Sequence, residues 1–236
     1  MSIDRLFSRT LTVGFAASVL VLAGCATSTP TIDTSPEAEV TFDGLYEVKG
    51  GSADQAWARP GVDLSQYSKI MLQGAGIEYR PGGESPSSFS SRSRGGPYEV
   101  TEEHKQRLRA LVVSVFLEEL SESEHFTLVE EAGPDVLLVR GALLDVVSWV
   151  PEEPIGRGAV FISKVGEATL VLELRDSITE AVLVRAVDRR AAEGDGFAGG
   201  MSKSNRVTNQ AEVKRVVRYW AQLLRDRLDE FGAPKE

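Results

Sequence analysis

The sequence predicts an α+β fold, a largely antiparallel β-sheet of about five strands with two main helices packed on one face. Three observations predict it. Two stretches repeat apolar residues at helical spacing, one in mid-chain and one at the C-terminal end. Between them lie consecutive strand-like runs with no helix to carry a parallel crossover. Two of those runs are joined by a short polar turn, and the first alternates apolar and polar residues, the pattern of a β-hairpin.

The elements follow in order. Trp57-Ala58-Arg59-Pro60-Gly61-Val62 leads into a first strand, Lys69 to Ile77, whose Gly74 and Gly76 predict a bulge or a close backbone approach. Arg80 to Pro97, rich in Gly, Ser and Pro, reads as a long loop. Thr101 is a sound N-cap with Glu102 and Glu103 behind it, and Leu108, Leu111, Val112, Val115, Phe116 and Leu120 form the buried stripe of the first helix. Strands follow at Phe126 to Glu130 and Asp135 to Val150, turned by Gly133-Pro134, the second apolar enough to be covered on both faces. After a loop at Pro151 to Gly158 comes the hairpin, Ala168 to Arg175 and Ala181 to Arg190. Its first arm sets Leu170, Leu172 and Leu174 on one face and Thr169, Val171 and Glu173 on the other. A Gly-rich loop, Gly194 to Ser204, precedes the last helix. That helix is capped by Thr208 or Asn209, carries Val213, Val216, Val217, Trp220, Leu224, Leu228 and Phe231 as its stripe, and ends at Gly232 and Pro234.

The N-terminus has a different character. Arg5 and Arg9 precede an apolar run from Leu11 to Leu22 that is too short, and too interrupted by Gly14 and Ser18, to remain as a membrane span of roughly 20 apolar residues. Leu22-Ala23-Gly24-Cys25 closes the run and resembles the bacterial lipoprotein signal, or lipobox. That resemblance implies that the Cys25 thiol carries a diacylglyceryl group, that cleavage falls between Gly24 and Cys25, and that the new amine is acylated in turn, with palmitate as the expected chain. Ala26, in place of an aspartate, implies the outer membrane, in the inner leaflet and facing the periplasm. The expected organisation is a signal peptide at 1–24, a lipidated tether at 25–41, one domain at 42–232 and a tail at 233–236.

Composition bounds the function. Without residues 1–24 the chain keeps 24 Lys and Arg against 34 Asp and Glu, a net −10, which argues against general nucleic-acid binding because that relies on basic surface. Acylation would consume the only cysteine, leaving no thiol for disulfide, redox or metal chemistry. His104 and His125 are too few for a zinc site, which takes three or four protein ligands. The loop after Gly194 separates glycine from Lys203 by Met201 and Ser202 and so departs from a phosphate-binding loop. No cofactor and no metal is expected. Two charge features remain. Eleven Lys and Arg against seven Asp and Glu lie between Arg175 and Arg227, making Arg189, Arg190, Lys203, Arg206, Lys214 and Arg218 a candidate patch for an anionic glycolipid or an acidic envelope protein. Glu118, Glu119, Glu122, Glu124, Glu130, Glu131 and Asp135 form an acidic counterpart, read chiefly as a solvated face.

Several stretches resemble an uncharacterised family of bacterial lipoproteins, the domain-of-unknown-function family 3313. They are Arg59-Pro60-Gly61-Val62-Asp63-Leu64-Ser65-Gln66-Tyr67-Ser68-Lys69, Leu172-Glu173-Leu174-Arg175-Asp176-Ser177, Val187-Asp188-Arg189-Arg190, and Trp220 to Leu228. The likeness covers most of the mature body and implies a lipoprotein domain without supplying a chemistry. It departs at the hairpin turn, where Glu180 stands in place of an expected glycine. The reading that follows is a non-enzymatic binding or assembly module, held to the membrane by its lipid. The alternative is an envelope hydrolase whose catalytic carboxylates are dispersed along the chain.

Overall fold

The computed structural model describes residues 30–81, 97–150, 161–193 and 202–232. The lipobox, Leu22, Ala23, Gly24 and Cys25, lies outside the described residues, as do 82–96, 151–160 and 194–201 of the three long loops. Ten strands and two helices are described: β1 (Thr31–Ile32), β2 (Tyr46–Lys49), β3 (Gln55–Ala58), β4 (Lys69–Tyr79), α1 (Glu102–Leu120), β5 (Thr127–Val129), β6 (Val136–Ser148), β7 (Phe161–Ile162), β8 (Lys164–Asp176), β9 (Val182–Glu193), β10 (Ser202–Lys203) and α2 (Arg206–Gly232). Eight strands form one sheet in the order β1-β2-β3-β9-β8-β6-β4-β5, and β7 pairs with β10 apart from it.

The sheet is mixed, which corrects the expectation of a largely antiparallel sheet of five strands. β4 runs parallel to both of its neighbours, β5 and β6. Helix α1 is the crossover that returns the chain from β4 to β5. The second parallel neighbour needs no helix, because β5 is only three residues, about 10 Å, long. Residues 130–135 can therefore bring the chain back to the start of β6. The other three strands come from the N-terminal side: β1, β2 and β3 form a meander that joins the sheet through β3 and β9. Residues 30–41, expected as tether, thus reach the sheet, with Thr31 opposite Lys49 and Asp33 paired with Lys49 at 2.5 Å.

Both helices cover one face. The core joins Val115, Phe116 and Leu120 of α1 and Val217, Trp220, Ala221, Leu224 and Leu228 of α2 to Ile70, Leu137, Val139, Leu143, Leu170, Leu172 and Leu174 of the sheet. The alternation expected for β8 is therefore observed, and β6, with Val136 to Val139 all buried, is covered on both sides as its composition predicts. Thr101 caps α1, its hydroxyl accepting from the His104 N–H at 3.3 Å. The cap of α2 is Asn205, not Thr208 or Asn209, since Asn205 Oδ1 accepts from the Thr208 N–H at 3.0 Å. Gly74 and Gly76 flank the expected bulge, and Gly76 has φ +119, open to glycine alone at little cost.

The hairpin turn holds Glu180 at φ 54, where the family likeness expects glycine. An L-residue there carries a steric cost of about 1–2 kcal/mol, partly offset in a glycine variant by greater unfolded-state freedom. Glu180→Gly is expected to raise stability by about 0.5–1 kcal/mol, read as an increase in the urea midpoint. An unchanged or lower midpoint would show that the Glu180 side chain compensates for its backbone.

Candidate functional site

The sheet has one open edge beside an apolar groove. β5 pairs only with Lys69, Ile70 and Met71 of the eleven-residue β4. Beyond Met71 no strand among the described residues pairs with the outer side of β4, and Gln73 to Gly76 are exposed. Helix α1 runs alongside in the opposite direction, and Lys105 sits 5.3 Å from the ring centre of Tyr79. Between helix and edge lies a groove of about 830 Å³, with Val139, Leu143, Leu170 and Leu172 in its floor and Val113 and Leu117 on its helical wall. Val113 is 51% and Leu117 44% exposed, neighbours at i and i+4 that together give the groove an apolar wall. Two charges mark the ends: Arg109 toward Tyr79, and Glu130 just beyond β5. Neither has an ion-pair partner within 4 Å among the described residues. A smaller hollow of about 600 Å³ is lined by Lys69, Glu130, Glu131 and Asp135, of which Lys69 and Asp135 pair with each other at 3.0 Å.

The groove's chemistry suits a strand rather than a reaction. An unpaired edge offers backbone N–H and C=O groups to an extended peptide, and the apolar floor and wall offer places for alternate side chains. Tyr79, at the Arg109 end, has its hydroxyl pushed up to about 12 by burial and stays protonated. Among the described residues, no cluster of three or more His, Cys, Asp or Glu is arranged to hold a metal ion.

A second constellation lies on the face of the sheet away from the helices. In β6 a bulge places Asp145 at φ 54. Its carboxylate accepts from Arg80 Nε at 2.6 Å and Arg189 Nη1 at 2.7 Å, while Glu167 accepts from Arg189 at 2.9 Å and Lys164 at 3.0 Å. Arg80, then Arg189, hold the Asp145 carboxyl down from 3.8 to about 2. A carboxyl lowered in the native state stabilises it fully above the unfolded pKa, and that stabilisation is lost as pH falls through the native value. For Asp145 the window runs from about pH 4 down to about 2. Urea midpoints should fall across it, less steeply in Asp145→Asn; equal slopes would mean that the pair contributes nothing. Farther along the same face, Arg185 bridges Asp43 at 2.7 Å and Glu173 at 2.8 Å. Every described carboxyl whose titration is clearly displaced is displaced downward, by arginine, lysine or hydrogen-bond donors that favour its charged form.

The expected basic patch is divided by this geometry. Arg189 and Arg190 are adjacent on β9 and so point to opposite faces. Arg190 donates to Asp188 at 2.7 Å and stacks 3.9 Å from the Tyr219 ring on the helical side. Arg218 pairs with Glu118 and Glu119, both at 2.9 Å, and Lys214 lies 3.9 Å from Glu118. Arg206 opens α2 and is exposed, and Lys203 lies in β10. The acidic stretch and the basic helix face, about 100 residues apart, thus meet each other: Glu119, 5% exposed, accepts from Arg218 and Arg225, and Glu122 from Arg225. Sequence reasoning missed the groove. Its signal was the mismatch between the nine-residue run Lys69 to Ile77 and the five-residue run Phe126 to Glu130, of which only three residues pair with β4.

Comparison with known proteins gives weak structural likenesses. A PelC dodecamer from Paraburkholderia phytofirmans is 12% identical, with TM-score 0.34 over 72% of this chain and 94% of that one. Protein XCC0632 from Xanthomonas campestris is 12% identical, with TM-score 0.38 over 74% and 90%. A putative neuraminyllactose-binding hemagglutinin homolog from Helicobacter pylori is 12% identical, with TM-score 0.33 over 70% and 84%. No curated protein matches. The four stretches of likeness fall on structure: Tyr67 packs in the core, Leu172 and Leu174 line it, and Asp188 accepts from the Trp220 indole at 2.7 Å. The family model for the protein of unknown function DUF3313 matches residues 36–224, and the chain belongs to that family.

Proposed function

We propose that this chain is a lipid-anchored cell-envelope protein, most simply at the inner leaflet of the outer membrane, whose domain binds an extended peptide of an envelope partner along β4. The observation that carries it is the open outer edge of β4 beyond Met71, lying beside an apolar groove with Val113 and Leu117 exposed. The peptide should alternate apolar residues and place an acidic group near Arg109 and a basic one near Glu130. The anchor rests on Leu22-Ala23-Gly24-Cys25, and no helix among the described residues is long and apolar enough to cross a membrane. The hydrolase reading needs two converging carboxyls, at least one raised in pKa, and no observation favours it.

Selection of random peptides against the purified mature protein tests the groove. Alternating apolar sequences are expected to be enriched, with roughly tenfold or greater loss of binding in Leu117→Arg, about 1.4 kcal/mol or more, and none in the control Ile178→Arg, an exposed apolar residue of the hairpin turn that does not line the groove. Enriched peptides that bind Leu117→Arg as well as the parent would sink the proposal. The mass of the mature N-terminal peptide tests the anchor independently.

A further inference from the structure

We infer that the domain lies directly against the bilayer, with the end where β9 finishes and the β1 side turned toward the lipid, and with the β4 groove on the far edge of the sheet. The inference rests on acylation of Cys25. Its geometry comes from β1. Thr31 pairs with Lys49 and Ile32 with Val48, β2 pairs with β3, and Gln55 of β3 pairs with Val187 of β9. The chain therefore enters β1 from the end of the sheet at which β9 finishes at Glu193. Both helices begin at that end, and β4 and β6 finish there.

The tether is short. Four residues separate Cys25 from Pro30, and five peptide steps span at most about 17 Å in any conformation. Thr31 is level with Val187, which stands six residues, about 20 Å, short of Glu193. Even a stretched tether brings the lipid-bearing residue only level with the end of the sheet. The domain has no length with which to stand away from the membrane.

The near end is suited to that contact. Phe161 is 55% and Val207 78% exposed, with Lys164 and Arg206 adjacent in sequence or nearly so. Four carboxylates at this end, Glu102, Glu103, Asp145 and Glu167, are paired with Lys105, Arg107, Arg80 and Lys164, while Glu78, Glu99 and Glu193 are exposed without an ion pair among the described residues. An anionic membrane surface attracts a cation such as Arg206 within about a Debye length, and the exposed Phe161 and Val207 add apolar contact beside it.

The test uses the acylated protein in vesicles of phosphatidylethanolamine and phosphatidylglycerol that carry a headgroup-bound quencher. With Cys25 consumed by the lipid, Val207→Cys and Ile178→Cys each supply a single labelling site, on exposed residues at opposite ends of a thirteen-residue strand, some 40 Å apart. The label at 207 is expected to be quenched about fivefold or more relative to that at 178, given that separation. Twenty Gly-Ser residues inserted after Ala26 should shrink the difference. Equal quenching at the two sites, or stronger quenching at 178, in protein that floats with the vesicles overturns the orientation and leaves the anchor standing. Protein that does not float overturns the anchor, and the orientation falls with it.

Discussion

Asp188→Ala is expected to cost about 2–3 kcal/mol of unfolding free energy, chiefly for leaving the buried Trp220 indole without an acceptor, since Arg190, 36% exposed, can turn to water. Asp188 is 4% exposed and occupies the point where three elements meet. Its carboxylate accepts from the Trp220 indole at 2.7 Å, from Arg190 Nε at 2.7 Å and from the Asp54 backbone N–H at 3.2 Å. The alanine variant leaves the indole N–H without an acceptor in the core and the Arg190 guanidinium beside an apolar hole. Asp188→Asn keeps an acceptor for the indole and removes the charge, so it should lose about half as much. Urea unfolding followed by tryptophan fluorescence measures both. A loss under about 1 kcal/mol for the alanine variant would show that water replaces the carboxylate, and that the Val187 to Arg190 stretch is not held by this contact.

Gly166→Ala is expected to cost about 2–3 kcal/mol, near the upper range for overpacking. A Cβ at Gly166 would stand 2.6 Å from the Val147 carbonyl oxygen and 3.7 Å from its carbon. The obstacle is backbone, which cannot swing aside as a side chain does. Gly166 lies opposite Ser148, just past the bulge that places Asp145, so the strain should pass into β6. The expected signature is a lower urea midpoint together with a shallower acid limb between about pH 4 and about 2, as the Arg80 and Arg189 contacts to Asp145 loosen. A variant of parental stability would mean that β6 and β8 part at this point without cost.

Local patterns in the sequence carried the elements that depend on local chemistry. The Thr101 cap, the stripe from Leu108 to Leu120, the leucine alternation in β8 and the Trp220 helix are each specified by residues within a few positions of one another, and each is found. What was not legible depends on partners far along the chain. β2 and β3 are Tyr-Glu-Val-Lys and Gln-Ala-Trp-Ala, four residues each, too short to show a period, and they are strands because β9 lies beside β3. The direction of β4 relative to β6 was hidden because the shortness of β5 lets the chain return without a helix. Charge was legible as composition and not as pairing. Glu119 and Arg218 are each unremarkable in sequence, and only the parallel course of the two helices brings them to 2.9 Å.

The pairing of β3 with β9 joins Gln55 to Val187. When the chain emerges N-terminus first, the three N-terminal strands wait for about 130 further residues before the edge that holds them exists. Closing so long a loop is slow, and unpaired strands are exposed in the meantime. β1, β2 and β3 are therefore the first strands to be made and among the last to be paired, so completion of the sheet waits on its oldest residues.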